Sequence, residues 1–246
     1  MGKAAERLLM AAAGAGGLGQ QPVVTDNLLL RLDAANPASY SGTGTTWSDI
    51  SGNGFDGTLT NGPVWNNTYF EFDGDNDYVE MGTITTSNPL QLSSPSGGGL
   101  TIMFASWFDG TGDTFQRIVD KSNSGSATNG WTIWRNSAST LDYAHDLVSI
   151  DSGSIPVDNT WEIWALTHEV STGNIVWYKN GSVDATGSQT YNIPSVQTGM
   201  RLGTWNHTDG RELNGRIGFF MVYDKVLSGA EVTQNYDALK GNYGLT

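Results

Sequence analysis

Seven consecutive residues, Ile217-Gly-Phe-Phe-Met-Val-Tyr223, form an almost unbroken apolar and aromatic run of strand length. A strand without polar alternation has no face to offer water, so other parts of the chain must cover both sides of it. The next residues read as the cover for one side. Ser228 stands at a helix start with Glu231 placed for a reciprocal capping box, and Leu227 and Val232 sit where a hydrophobic staple belongs. Val232, Tyr236 and Leu239 recur at helical spacing as one narrow apolar stripe, and Gly241 is the expected left-handed exit. A buried strand with a one-sided helix on it closes a sheet domain.

The rest of the chain reads as short strands joined by polar turns. Glycine accounts for 32 of the 246 residues and Ser, Thr, Asn and Asp are abundant, a balance that favours turns over helices. Strands are expected at Asp26–Asp33, Tyr69–Phe72, Tyr78–Met81, Leu100–Phe108, Arg117–Asp120, Trp131–Arg135, Trp161–His168, Ile175–Lys179 and Met200–Thr204. Asn180-Gly181 between two such runs predicts a tight hairpin. Trp47 and Phe55 are expected to pin the turn-rich excursion 34–57 to a sheet. The expected fold is all-β: a two-sheet antiparallel jelly-roll sandwich with one short C-terminal helix. Residues 1–25 differ in character, a short apolar stretch followed by a glycine-dominated one, and are expected to be an extended N-terminal anchoring arm ahead of a domain at 26–246.

Charge excludes several partners. With 12 basic against 25 acidic residues, net −13, the chain lacks the clustered Lys and Arg that phosphate contacts need, so no nucleic-acid partner is expected. No apolar run approaches the length of a membrane span. Cysteine is absent, which excludes disulfides and thiolate metal sites.

Four groups of residues carry candidate chemistry. Asp73, Asp75 and Asp77 are alternate acids in one turn, a pattern that either wraps Ca²⁺ or holds backbone amides. Glu71 and Asp73 would share one face of a strand, as the paired acids of a glycosidase do, but Asp75 and Asn76 stand where a glucanase carries its further Glu. The three histidines, at 145, 168 and 207, show no metal-ligand spacing. The loop Trp205, Asn206, His207, Asp209, Arg211 offers an aromatic plane beside amide, imidazole, carboxylate and guanidinium groups; it either recognises a sugar or packs its Trp inward around a solvated turn.

Three ordered stretches resemble one known family. Gly215-Arg-Ile-Gly218 with Val222-Tyr-Asp-Lys-Val-Leu-Ser-Gly-Ala-Glu231 is similar to the closing signature of laminin-G-like domains of the concanavalin A-like lectin/glucanase superfamily. Phe72-Asp-Gly-Asp-Asn-Asp-Tyr-Val79 resembles its early strand, and Trp161–His168 with Thr172–Gly181 its central hairpin. The superfamily holds lectins, adhesion modules, glucanases and structural domains, so the resemblance implies the fold before it implies a role. Together with the arm, the missing cysteine and the polar acidic surface, the chain looks like a non-enzymatic virion protein of a tailed bacteriophage. That resemblance implies a homo-oligomer, made in the host cytoplasm and exposed on the particle. Residues 1–25 would meet other virion proteins, and the sandwich a host-surface glycan. A free bacterial lectin module and a glucan hydrolase are the alternatives.

Overall fold

The computed structural model describes residues 21–246 apart from 86, 93–94, 113, 123–129, 137–138, 146–147, 193–197 and 207–210. Sixteen strands are described. They are β1 (Leu28–Asp33), β2 (Thr46–Trp47), β3 (Gly57–Thr60), β4 (Val64–Trp65), β5 (Phe70–Asp73), β6 (Tyr78–Ile84), β7 (Gly99–Phe108) and β8 (Phe115–Lys121). Then come β9 (Trp131–Asn136), β10 (Leu141–His145), β11 (Val148–Asp151), β12 (Glu162–Glu169), β13 (Asn174–Lys179), β14 (Ser182–Ser188), β15 (Thr198–Leu202) and β16 (Asn214–Tyr223). One α-helix, α1 (Gly229–Leu239), follows.

The strands make two antiparallel sheets, the expected sandwich. The first runs β14-β13-β12-β7-β16-β5-β4, and β1 pairs with the Phe219–Tyr223 end of β16, on the side where β5 pairs with its Asn214–Ile217 end. The second runs β11-β10-β9-β8-β15-β6-β3-β2. Ile217, Phe220 and Val222 of β16 point between the sheets, beside Trp47, Phe72, Trp131 and Trp164. Phe219, Met221 and Tyr223 point the other way, beneath Val232, Tyr236 and Leu239 of α1. Ile217 and Phe220 share a face despite their odd spacing because the β16–β7 register shifts between them. Gly218 lies in that irregularity against the Tyr243 ring; a Cβ there would come within 2.3 Å of it.

Local signals formed as their chemistry dictates. Ser228 Oγ accepts from the Glu231 amide while the Glu231 carboxylate accepts from the Ser228 amide, which completes the capping box. Asn180 and Gly181 both have positive φ, 49° and 78°, as a primed hairpin turn requires. The helix exit differs from expectation. A 3₁₀ turn, Lys240–Tyr243, continues α1, and Gly244 rather than Gly241 takes the left-handed conformation. Burial of Tyr243 under the first sheet draws the chain on for that extra turn.

The domain's own packing begins before Asp26. Val23 and Val24 join the apolar cluster under α1, the Val24 amide donates to Asn235 Oδ1 at 2.7 Å, and Gln234 Nε2 donates to the Pro22 carbonyl. Residues 1–20 of the expected arm lie outside the described residues.

Candidate functional site

The two outward faces of the sandwich differ in kind. On the first sheet, Met103, Ala105, Ile163, Ala165 and Phe219 are sealed by α1 and the C-terminal turn. On the second sheet the outward positions are polar. Thr58, Glu80, Arg201, Asp120 and Thr132 face one another across five strands, and Arg117, Trp134, Asp142 and Asp151 across four. Their chain neighbours Ile118, Val119, Ile133, Leu141 and Tyr143 point into the core, which fixes the outward direction of this set. Much of this polar set is nonetheless buried: Asp120 and Thr132 fully, and Arg117, Asp142 and Trp134 at 1%, 6% and 8% exposure. Solvent reaches the face at Tyr78, Glu80, Arg201, Trp205 and Arg211, which are partly exposed, and at exposed Phe115.

Arginine and aromatic side chains alternate over this face. The Arg201 guanidinium lies 4.6 Å from the Tyr78 ring centre, Arg117 4.6 Å from Trp134, and Arg211 4.0 Å from Trp205 and 5.1 Å from Phe115. The Arg117 amide donates to the Arg211 carbonyl, so two of these stacks are tied through one backbone contact. Behind them Arg117 and Asp120 are both buried, 3.5 Å apart between Nε and Oδ2. Burial holds the Asp120 carboxyl above its usual range, against the pull of Arg117. Beside Trp134, Asp142 and Asp151 hydrogen-bond carboxyl to carboxyl; burial first, and Asp151 second, push Asp142 up to about 8. At neutral pH Asp142 is therefore a protonated acid donating to its neighbour.

The described part of the Trp205 loop belongs to this face. The loop joins β15 to β16, central strands of the two sheets, and so crosses between sheets. Asn206 is engaged: its Nδ2 donates to Thr198 Oγ1 and to the Gly199 carbonyl, holding the end of β15. Trp205 is half-buried with one face under Arg211, so that face is closed to a sugar ring and the guanidinium plane is presented in its place. His207 and Asp209 lie outside the described residues.

The acidic turn sits elsewhere. Asp73 Oδ1 accepts from the amides of Asp75, Asn76 and Asp77 at 2.9, 3.2 and 3.4 Å, and Asp77 Oδ2 accepts from the Asp73 amide. Partial burial raises Asp73, and the amide bonds outweigh it, leaving the carboxyl below its ordinary range. A carboxylate occupied in this way caps a turn, the amide-holding one of the two roles that its pattern allows. Among the described residues no three His or acidic side chains converge to hold a metal. Glu71 faces outward on β5 in an ion pair with Arg216 at 3.0 Å, and Arg216 stacks on Trp107.

Two features escaped the sequence reading. The acids Asp142 and Asp151 meet only through the pairing of β10 with β11, two strands it did not anticipate. His145 and His168, far apart in sequence, stack 5.4 Å apart between the sheets with Tyr143 and Tyr191. His168 Nε2 meets the Gln189 carbonyl at 2.9 Å and its Nδ1 faces the Tyr143 hydroxyl, which places the proton on Nε2.

Comparison with known proteins follows this geometry. The binding domain of botulinum neurotoxin serotype D superposes with a TM-score of 0.62 at 14% identity, over 87% of this chain and 52% of that one. The botulinum neurotoxin DC binding domain in complex with SialylT gives 0.59 at 17% identity, over 88% and 52%. A sialidase of Trypanosoma rangeli gives 0.65 at 12% identity, over 89% and 33%. The chain spans about half the length of the toxin domains, and at these identities the likeness is one of fold. No curated protein matches it by sequence. The family model Laminin G 3, described as concanavalin A-like lectin/glucanases superfamily, matches residues 73–233. That span runs from the acidic turn through the capped helix start, the stretch that carries both sheets' central strands, and the chain accordingly belongs to the Laminin G 3 family of the concanavalin A-like lectin/glucanases superfamily.

Proposed function

We propose that the chain is a non-catalytic glycan-binding module whose ligand lies on the outward face of the second sheet. One observation carries the reading: among the described residues no helix lies on that face, and its arginine–aromatic stacks reach solvent at Arg201 with Tyr78 and at Arg211 with Trp205 and Phe115, whereas the first sheet is sealed by α1. Flat rings and guanidinium planes beside hydrogen-bonding groups are the surface a sugar recognises. The fold likeness to a toxin binding domain described in complex with SialylT supports the same class of ligand. Glu71 and Asp73, the acids a glucanase reading would use, are engaged by Arg216 and by backbone amides, which supports the non-catalytic part. On a glycan array the protein should bind a restricted set of glycans, and Trp205→Ala, which removes the platform under Arg211, should weaken them at least tenfold, as loss of an aromatic anchor does. A blank array overturns the reading.

The setting we propose for this module is a virion, with residues 1–20 as the docking arm. Its support is in the sequence: a glycine-rich leader, no cysteine and a polar acidic domain. Deleting residues 1–20 should abolish incorporation into particles, and normal incorporation contradicts this setting.

The Asp142–Asp151 acid pair favours a second reading, glycoside hydrolysis on the same face. The two carboxyls touch, whereas glycosidase acids stand about 5–10 Å apart with substrate or water between them. Turnover of a bound glycan that is lost in Asp142→Asn would establish hydrolysis in place of simple binding.

A further inference from the structure

The arginines of this acidic chain divide into two groups. Of the six described, Arg31, Arg135, Arg201 and Arg216 each meet a carboxylate at 2.5–3.0 Å. Arg211 meets none among the described residues, and Arg117 has only the 3.5 Å contact with Asp120. With 25 acids to 12 bases, an arginine without a close carboxylate is not forced by composition. These two are neighbours, joined by the Arg117 amide to Arg211 carbonyl hydrogen bond; Arg117 is stacked on buried Trp134 and Arg211 on the partly exposed Trp205.

Arg117 is 1% exposed, and its Nε and Nη1 are buried without a hydrogen bond among the described residues. A buried guanidinium with unspent donors is costly unless a compensating charge arrives. Burial, with Arg211's like charge among the lesser causes, lowers Arg117 to about 10, so it stays charged at neutral pH. Partly exposed Arg211, clamped between Trp205 and Phe115, is the group a ligand can reach, with Arg117 as positive charge behind it.

We infer that the saccharide taken by this face is anionic, its acidic group seated on Arg211 with the fixed charge of Arg117 behind it. The inference rests on the glycan reading above and names the ligand class for that site. A planar guanidinium held against two rings suits an oxyanion, whether the carboxylate of a uronic or sialic acid or a sulfate ester, and takes it with paired N–H···O bonds.

The test is an array carrying each saccharide core in neutral, carboxylated and sulfated forms, followed by titration calorimetry on the strongest acidic ligand. Acidic forms should bind at least tenfold more tightly than their neutral cores, and the carboxylated and sulfated arms tell which oxyanion is preferred. Arg211→Gln should bring acidic ligands down to the neutral level, with Arg211→Lys retaining part of the difference. Raising NaCl from about 50 to 500 mM should narrow the gap for the unaltered protein, since an exposed charge contact is screened. That salt series needs no substitution and stands even if a variant folds poorly. Neutral cores bound as tightly as acidic ones, with no salt effect, overturn the inference; if Trp205→Ala still abolishes that binding, the glycan reading survives. Binding of no saccharide at all removes both.

Discussion

Replacing Phe220 by Ala should cost about 3–5 kcal/mol of stability, and Phe219→Ala should cost about as much. The two side chains are consecutive and fully buried, yet they lie in different apolar clusters, Phe220 between the sheets and Phe219 beneath α1. In a strand with one wet face one of the pair would be nearly silent. Here β16 is central in the first sheet and covered on both sides, so each truncation leaves a cavity that close-packed neighbours cannot fill. Urea denaturation at constant slope reads the loss as a lowered midpoint. A Phe219→Ala variant within about 0.5 kcal/mol of the parent would mean that the helix does not seal that face.

Asp142→Asn should stabilise the protein by roughly 2–4 kcal/mol at about pH 9 while changing little at about pH 3. The folded protein raises this carboxyl from an ordinary 3.8 to about 8, chiefly by burial and then by Asp151. A raised group contributes stability that is fully present below 3.8 and lost as the pH climbs through 8. Asn keeps a donor toward Asp151 and cannot ionise, so it imitates the protonated acid at every pH. His145 works in the opposite sense. Both of its ring nitrogens are buried without hydrogen bonds among the described residues, and burial first, with His168 and Lys121 after it, lowers it to about 3. Its contribution is present above the ordinary 6.5 and lost as the pH falls toward 3. The parent's own pH profile sums the two, whereas the variant-minus-parent difference at each pH isolates Asp142. Equal differences at both pH values would show that no proton is trapped there. A site that stabilises on losing its acid is one whose groups are kept for something besides folding.

What the sequence made legible was what neighbouring residues decide together. The apolar run of β16, the Ser228–Glu231 box, the Leu227–Val232 contact and the Asn180-Gly181 turn each depend on spacing within a few residues, and each formed. Strands β10 and β11 were missed. Leu141, Tyr143 and His145 do alternate inward, but a histidine in the core and a buried Asp142 between them hide the pattern. The extent of the site stayed hidden for a related reason. Trp205 and Arg211 were visible as a loop, but Arg117, Trp134 and Asp142 become neighbours only once β8, β9 and β10 pair. Nor could spacing reveal that Arg211 would cover the Trp205 ring. The acidic turn at Asp73 drew attention by density alone, and backbone amides account for its carboxylates.

The central claim is that ligand meets the outward face of the second sheet. Amide chemical-shift mapping on the labelled protein, titrated with the strongest glycan from the array, tests it directly. The account predicts perturbations centred on Phe115, Arg117, Trp134 and Arg211, with the residues around α1 unmoved. Perturbations centred on the first sheet's outer face near Trp107 and Arg216, or along the exposed edge strand β14, would contradict it.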